Sequence, residues 1–288
     1  MPELPEVEVV KKSLERSITN LTIRKVKINN NNLRYKINNS KFNKLKGKKV
    51  ISVKRRSKYI LINLSNKKTL IIHLGMTGKF FILNQKNKYK RLSFYYESKN
   101  KKGKHDHLIF HFNKKIKLVY NDVRRFGFMK VLITKKLDIN PHFALLGPEP
   151  LSNKFNENYF KSKIFNKEKC VKDLLMDQKF LGGLGNIYVN EILFKSNVHP
   201  KKKIYKIDQS KIRDIINNTK LILKKAINLG GSSIKDFEYD NKKKGKFQEL
   251  FNVYDRKGQK CSKVNCKAII RKIYISQRSS YFCNRCQK

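Results

Sequence analysis

Four cysteines gather near the end of the chain: Cys261, Cys266, Cys283 and Cys286, spaced as C-x4-C, sixteen residues, C-x2-C. Few folds serve four thiols at this spacing. In a cytoplasmic chain the pattern reads as a metal site before a pair of disulfides. Four thiolates suit tetrahedral Zn²⁺ and leave no open coordination position, so one structural zinc is expected. The intervening run KAIIRKIYISQRSSYF alternates enough for a hairpin, with Gln277-Arg278-Ser279 near its turn. A zinc ribbon follows as the expected C-terminal module. Cys170 stands alone and reads as an ordinary half-buried thiol.

Upstream, the pattern divides. Residues 5–18 read as a helix: Pro5 suits the first helical position, Glu6 and Glu8 suit its positive end, and Val7, Val10, Leu14 and Ile18 recur at helical spacing. From about 21 to 133 the chain breaks into eight short strand-like runs, from LTIRKVKI to FMKVLI, which predicts an antiparallel β-sandwich. NPHFALLGPEPL at 140–151 reads as a linker. Beyond it the period becomes helical, with Ile212, Ile215, Ile216, Thr219, Leu223, Ala226 and Ile227 on one stripe ended by Gly230-Gly231. CVKDLLMDQK, FLGGLGN and IYVNEILFKSN read as helix, glycine turn, helix, a unit that serves DNA binding or plain packing. The expected fold class is therefore α+β multidomain, with a helix and β-sandwich over 1–135, a linker over 136–151, a helical domain over 152–250 and a metal finger over 251–288.

Charge narrows the partner. The 288 residues carry 68 Lys and Arg against 21 Asp and Glu, a formal net charge of +47. A polyanion partner, nucleic acid above all, fits this balance through counterion release. An A/T-biased composition rich in Lys, Asn and Ile would produce part of the same excess. No apolar run approaches the ~20 residues of a membrane span. MPELPEVEVV has no signal-peptide core, so a cytoplasmic protein is expected.

The N-terminus is chemically pointed. Removal of Met1 before the small Pro2 would leave a secondary α-amine. With an ordinary pKa of about 8 against 10.4 for lysine, it is unprotonated roughly a hundredfold more often near pH 7. Such an amine attacks an aldehyde carbon, and its product is an iminium that needs no proton to act as an electron sink. Glu3 lies beside it and can shuttle a proton, although a helix start favours its ionised form. Taken alone, a Met-Pro-Glu opening is commonly inert.

The run Pro2-Glu3-Leu4-Pro5-Glu6-Val7-Glu8 resembles the opening of the formamidopyrimidine-DNA glycosylase family of bacterial base-excision repair enzymes. RRSKYIL at 55–61, HLGMTG at 73–78, KHDH at 104–107, DVRRFG at 122–127, LGPEPL at 146–151, LMDQKFLGGLGNIYVNE at 175–191 and the closing QRSSYFCNRCQ agree in order and spacing. The resemblance runs end to end. It implies an N-terminal β-sandwich, a helix-two-turn-helix domain and a zinc finger, with damaged duplex DNA as partner, a monomeric state and a place at the nucleoid.

The resemblance also implies roles. Pro2 matches the nucleophile that forms a Schiff base with C1′ of the damaged nucleotide, and Glu3 matches the acid catalyst. Lys58 matches the lysine of β-elimination and Arg278 the finger arginine of δ-elimination, which a hairpin-tip reading would make a phosphate clamp. His105, Arg124 and Lys167 match DNA-contacting positions. Asn186 matches a phosphate-binding asparagine; from its place after the glycine turn it is also expected to cap the helix that follows. Met76, Arg124 and Phe126 match the side chains that fill the stack once the lesion is extruded.

Three departures stand out: the C-x4-C knuckle where C-x2-C is common, Asp122-Val123-Arg124 in place of Asp-Pro-Arg, and the loop at 239–247, which covers the flipped purine in the family. The expected activity is excision of 8-oxoguanine and formamidopyrimidines with β,δ-elimination at the abasic site. Two alternatives are an endonuclease VIII-like enzyme for oxidised pyrimidines, against which Leu4 argues, and a non-catalytic zinc-ribbon protein, which would not need Pro2, Glu3 or Lys58.

Overall fold

The computed structural model describes residues 1–83, 89–91, 103–164, 168–232 and 245–288, and the chain folds as two compact units. The first comprises Met1–Ala144 and the returning segment Gly230–Lys246. It opens with α1 (Leu4–Ile18), whose start is built by a capping box. The Glu3 side chain accepts from the Glu6 backbone, and the Glu6 carboxylate accepts the Glu3 N–H at 2.9 Å. One face of α1, from Leu4 and Val7 through Val10 and Leu14 to Ile18, is buried.

The strands follow as β1 (Ile23–Ile28), β2 (Val50–Arg56), β3 (Tyr59–Leu64), β4 (Lys68–His73), β5 (Lys79–Leu83), β6 (Tyr89–Arg91), β7 (Asp106–Phe112), β8 (Lys117–Asn121) and β9 (Phe128–Ile133), with a short helix α2 (Asn39–Asn43) after β1. They form two antiparallel sheets, β1-β7-β8-β5-β6 and β2-β3-β4-β9. Each of the eight runs picked out by alternation is a strand. β6 is a further one, paired with β5, and its YKR sequence offers no alternating apolar signal. In β3 the period is plain: Ile60, Ile62 and Leu64 are buried while Tyr59, Leu61 and Asn63 are half-buried. These join Phe80, Phe110, Leu118 and the α1 face in one core. Each fully buried Val, Leu or Ile there contributes roughly 1.5–3 kcal/mol, so Leu14→Ala would cost about 2–5 kcal/mol.

The second unit comprises Leu145–Leu229 and Phe247–Lys288. It contains α3 (Glu157–Ile164), α4 (Val171–Met176), α5 (Asn186–Lys195), α6 (Gln209–Asn228) and the hairpin β10 (Ile270–Ile275) and β11 (Arg278–Cys283). α6 starts at Asp208, whose carboxylate accepts the Lys211 N–H at 2.8 Å. It buries the expected stripe with one change. Ile222 lies inside, whereas Ile227 is only half-buried, because the stripe drifts around the helix over twenty residues. α5 is buried from Ile187 through Phe194, including Asn190 and Glu191, so it is a core helix rather than an amphipathic one. Phe194 packs with Val253, Ile270, Tyr281 and the cysteines, which ties the metal hairpin to α5. The buried Glu191 carboxylate accepts the N–H groups of Asn252, Val253 and Tyr254, each at 2.9 Å. Among the described residues no helix is long and apolar enough to cross a membrane.

Candidate active site, phosphate contacts and metal centre

In the first unit the chain start is enclosed. Pro2 is buried, Glu3 is 3% exposed and Glu6 1%. Burial pushes the Met1 α-amino group, directly before Pro2, below its ordinary 8.0; Glu3 and Glu6 oppose this, and Lys58 and Arg124 add to it. Four charged groups from three separate stretches therefore act on one amine. Glu6 does more than cap α1: its other carboxylate oxygen accepts the backbone N–H of Ser232 at 2.8 Å and the Ser232 hydroxyl at 2.9 Å. Ser232 closes the double-glycine end of α6, where Gly230 and Gly231 both adopt positive φ.

Lys58 sits in the β2–β3 turn and is 6% exposed. The preceding Ser57 has φ of 53°, a conformation costly for a residue with a side chain. Arg55 secures it. Its Nη1 donates to the Ser57 carbonyl at 2.8 Å while its Nε pairs with Glu8 on α1 at 2.7 Å. The lysine turn is thus anchored to the helix that carries Glu3.

Met76, Arg124 and Phe126 come together on two adjoining loops. The Arg124 guanidinium lies 4.4 Å from the Phe126 ring centroid and its Nη1 is 3.3 Å from the Met76 sulfur. Phe126 is 44% exposed, an unusual setting for a large aromatic with no core to join. His105 is half-buried in the turn before β7, and its carbonyl accepts the Asp122 N–H at 3.1 Å, which links it to the same loop. Lys167 lies outside the described residues.

In the second unit Asn186 does not cap α5. Gly185 occupies the cap position, and Asn186 is the first helical residue. Its Nδ2 instead donates to the Ser279 carbonyl at 2.9 Å. The expectation of a side-chain cap fails because Asn186 sits one residue inside the helix, while Gly185 supplies the extended cap conformation. Lys172, 1% exposed, donates to the same carbonyl at 2.8 Å and to the Ser280 hydroxyl at 2.6 Å. Asn190 accepts the Tyr281 N–H at 2.7 Å. These contacts fix the strand directly after Arg278, whose own side chain is exposed. The hairpin turns at Ser276 and Gln277, with φ of 46° and 59°, and Ser276 donates to Asp173 at 2.9 Å.

The cysteine sulfurs of 261, 266, 283 and 286 lie within 4.8 Å of one another, and none forms a disulfide. The close pairs are 3.4, 3.7 and 3.9 Å. A tetrahedron of zinc–sulfur bonds has an edge of about 3.8 Å, so the donor set fits. The chemistry fits too. A backbone hydrogen bond from Ala268 brings Cys266 down to about 7, while burial and the neighbouring thiols push Cys286 up to about 12. Four thiolates cannot share this space without a cation. These residues hold one structural zinc.

Several contributors went unassigned at the sequence level: Glu6, Asp122, Lys172, Asn190 and Glu191. Glu6, Asp122 and Glu191 are acids inside the blocks that carry the family resemblance, and for Glu191 a carboxylate within the apolar run IYVNEILF is the signal that marks it.

The chain is similar to three family models: the formamidopyrimidine-DNA glycosylase N-terminal domain over residues 1–129, the formamidopyrimidine-DNA glycosylase H2TH domain over 146–238, and the zinc finger found in FPG and IleRS over 258–288. It is 39% identical to the formamidopyrimidine-DNA glycosylase of Ruegeria sp. strain TM1040 and 41% identical to that of Rickettsia bellii strain OSU 85-389, each over 100% of both chains. Among solved structures it is similar to Lactococcus lactis Fpg in complex with an abasic site containing DNA, with a TM-score of 0.85, 34% identity and 99% of each chain covered. It matches equally a mutant of that enzyme bound to a Fapy-dG containing DNA, with a TM-score of 0.85, 34% identity and 100% of each chain covered.

Proposed function

This chain belongs to the formamidopyrimidine-DNA glycosylase family, and we propose that it excises oxidised purines, 8-oxoguanine and formamidopyrimidines, from duplex DNA and cleaves the strand at the resulting abasic site. The observation that carries this reading is the enclosed chain start: Pro2, Glu3 and Glu6 are buried, and the charges of Glu3, Glu6, Lys58 and Arg124 all reach the Met1 α-amine directly before Pro2. Such an environment suits a nucleophile and has no use in a protein that merely coats nucleic acid.

In this reading, the Pro2 amine attacks C1′ of the damaged nucleotide as the bond to the base breaks. Glu3, buried beside it, supplies and recovers a proton at the opening sugar. The iminium then acidifies C2′; a C2′ proton is lost, its C–H electrons form the enamine, and these expel the 3′ phosphate from C3′. Lys58 meets the lesion-strand phosphate and serves this β-elimination. Arg278 clamps the second phosphate as it leaves in δ-elimination. Asn186, His105, Arg124 and Lys167 contact phosphate, and Met76, Arg124 and Phe126 replace the extruded base in the stack. When bound, zinc neutralises the four thiolates and stiffens the hairpin that presents Arg278. The enzyme acts as a monomer, at the nucleoid.

Incubation with an 8-oxoguanine duplex and borohydride tests the reading. A covalent complex of protein and DNA is expected from the purine lesion, and a weaker one from a matched oxidised-pyrimidine duplex. Absence of any trapped complex from active, zinc-loaded protein would overturn it.

A further inference from the structure

The loop that bears Arg124 and Phe126 departs from the Asp-Pro-Arg pattern: Val123 cannot fix φ as proline would. Even so, the loop is held, and both ends hang on one side chain. Asp122 is fully buried. Its Oδ2 accepts the Gly127 N–H at 2.8 Å and the Tyr120 hydroxyl at 3.2 Å. Its Oδ1 accepts the Thr77 hydroxyl at 2.5 Å, and Thr77 Oγ1 in turn accepts the Arg124 N–H at 3.0 Å. The backbone before Arg124 and after Phe126 is therefore tethered to the same carboxylate.

The partner loop is locked to it by shape. A Cβ on Gly75 would lie 2.4 Å from the Phe126 carbonyl carbon and from the Gly127 nitrogen, and one on Gly127 would lie 2.0 Å from the Tyr120 oxygen. Thr77 also neighbours Met76. One buried acid thus sets the relative positions of Met76, Arg124 and Phe126. Arg125 between the last two is held at φ of 54°, a conformation that needs such support.

We propose that Asp122, acting through Thr77 and Gly127, is the positioning residue that keeps Met76, Arg124 and Phe126 assembled as a wedge before DNA arrives. This rests on the reading above that these three side chains fill the stack. A preformed wedge matters most when a stacked base must be extruded, and least at an abasic site, where no base remains to be displaced.

Single-turnover excision of 8-oxoguanine is compared with cleavage of a preformed abasic duplex, with 2-aminopurine beside the lesion reporting entry of the wedge. Asp122→Ala is expected to slow excision at least tenfold, to change abasic-site cleavage less than threefold, and to suppress the fluorescence rise. Asp122→Asn, which keeps an acceptor for Gly127 and Tyr120 and can donate to Thr77, is expected to recover most of the excision rate. Thr77→Val removes the hydroxyl that links Asp122 to the Arg124 N–H, leaves the Gly127 and Tyr120 contacts in place, and should slow excision several-fold, with rescue by Thr77→Ser. This pair decides the matter if Asp122→Ala does not fold. Equal loss of both steps, or no loss of either, would overturn the proposal. Failure of the wild-type protein to trap with borohydride would instead refute the function on which it rests.

Discussion

Glu6 grips Ser232, 226 residues away, by both backbone N–H and hydroxyl, at 2.8 and 2.9 Å, while its second oxygen takes the Glu3 N–H. One buried carboxylate thus joins the start of the chain to the segment that leaves α6. Glu6→Gln turns one of its two oxygens into an NH₂ donor facing an N–H. The expected cost is about 1–3 kcal/mol, since a buried donor loses its acceptor. Urea unfolding measures this. Single-turnover cleavage should fall further than DNA affinity, because the displaced group lies next to Pro2 and Glu3.

The anchoring of Lys58 makes a second expectation. Arg55→Met removes both the Glu8 ion pair and the donor to the strained Ser57 carbonyl. With side chains only 9% and 16% exposed, the pair is sheltered, and its loss should cost roughly 1–3 kcal/mol. Cleavage of a preformed abasic duplex should slow at least fivefold as the lysine turn relaxes. A rate equal to wild type would show that Lys58 is positioned by other contacts.

His73 should make stability depend on pH. Its Nδ1 accepts the Gly75 N–H at 3.1 Å and its ring stacks on Phe128. Burial, then Lys58, Arg34 and His142, push its pKa down to about 4 from 6.5. Below pH 6.5 the unfolded chain takes a proton that the folded chain refuses until about pH 4. Stability from this residue is therefore complete above about pH 6.5 and falls as pH drops towards 4, by at most about 3 kcal/mol. Denaturant midpoints from pH 7 to pH 4 should show that slope, and His73→Phe should flatten it.

The metal centre predicts a selective loss. Chelation leaves four thiols with no cation between them, and Cys283→Ser leaves three in a space shaped for four and a cation. The hairpin, held also by Asn186, Lys172 and Asn190, should loosen rather than detach. DNA affinity should drop at least tenfold, while the β-sandwich keeps its near-ultraviolet circular dichroism. Full affinity without metal would contradict a structural role for zinc.

Local signals were the legible ones. Alternation marks the strands, the three-four spacing marks α1 and α6, and the cysteine spacing marks the metal site, because each is read within one segment. β6 escaped because three residues carry no period, and Ile222 displaced Ile227 because a 3.6-residue repeat drifts over a long helix. The site's residue types stand out at the N-terminus and in the recurring blocks, yet their supports do not. Glu6 with Ser232, Lys172 with Ser279, and Asp122 with Thr77 are polar contacts across long stretches of chain, and no spacing rule announces them. Asn186 shows the limit best: a residue well suited to a cap serves a distant carbonyl instead. The charge of +47 is equally mute about position. The residues proposed to touch phosphate are few, and the remaining cations add salt-sensitive attraction along the duplex.

If the Pro2 amine performs the chemistry, borohydride trapping on an 8-oxoguanine duplex, with the linked residue identified by mass spectrometry, will place the crosslink on it. The mature protein should crosslink through Pro2, and a form that retains an extra N-terminal residue or carries Pro2→Gly should lose strand cleavage by at least a hundredfold while binding the duplex within a few-fold. A crosslink at a lysine, or undiminished cleavage by the blocked protein, would contradict the account.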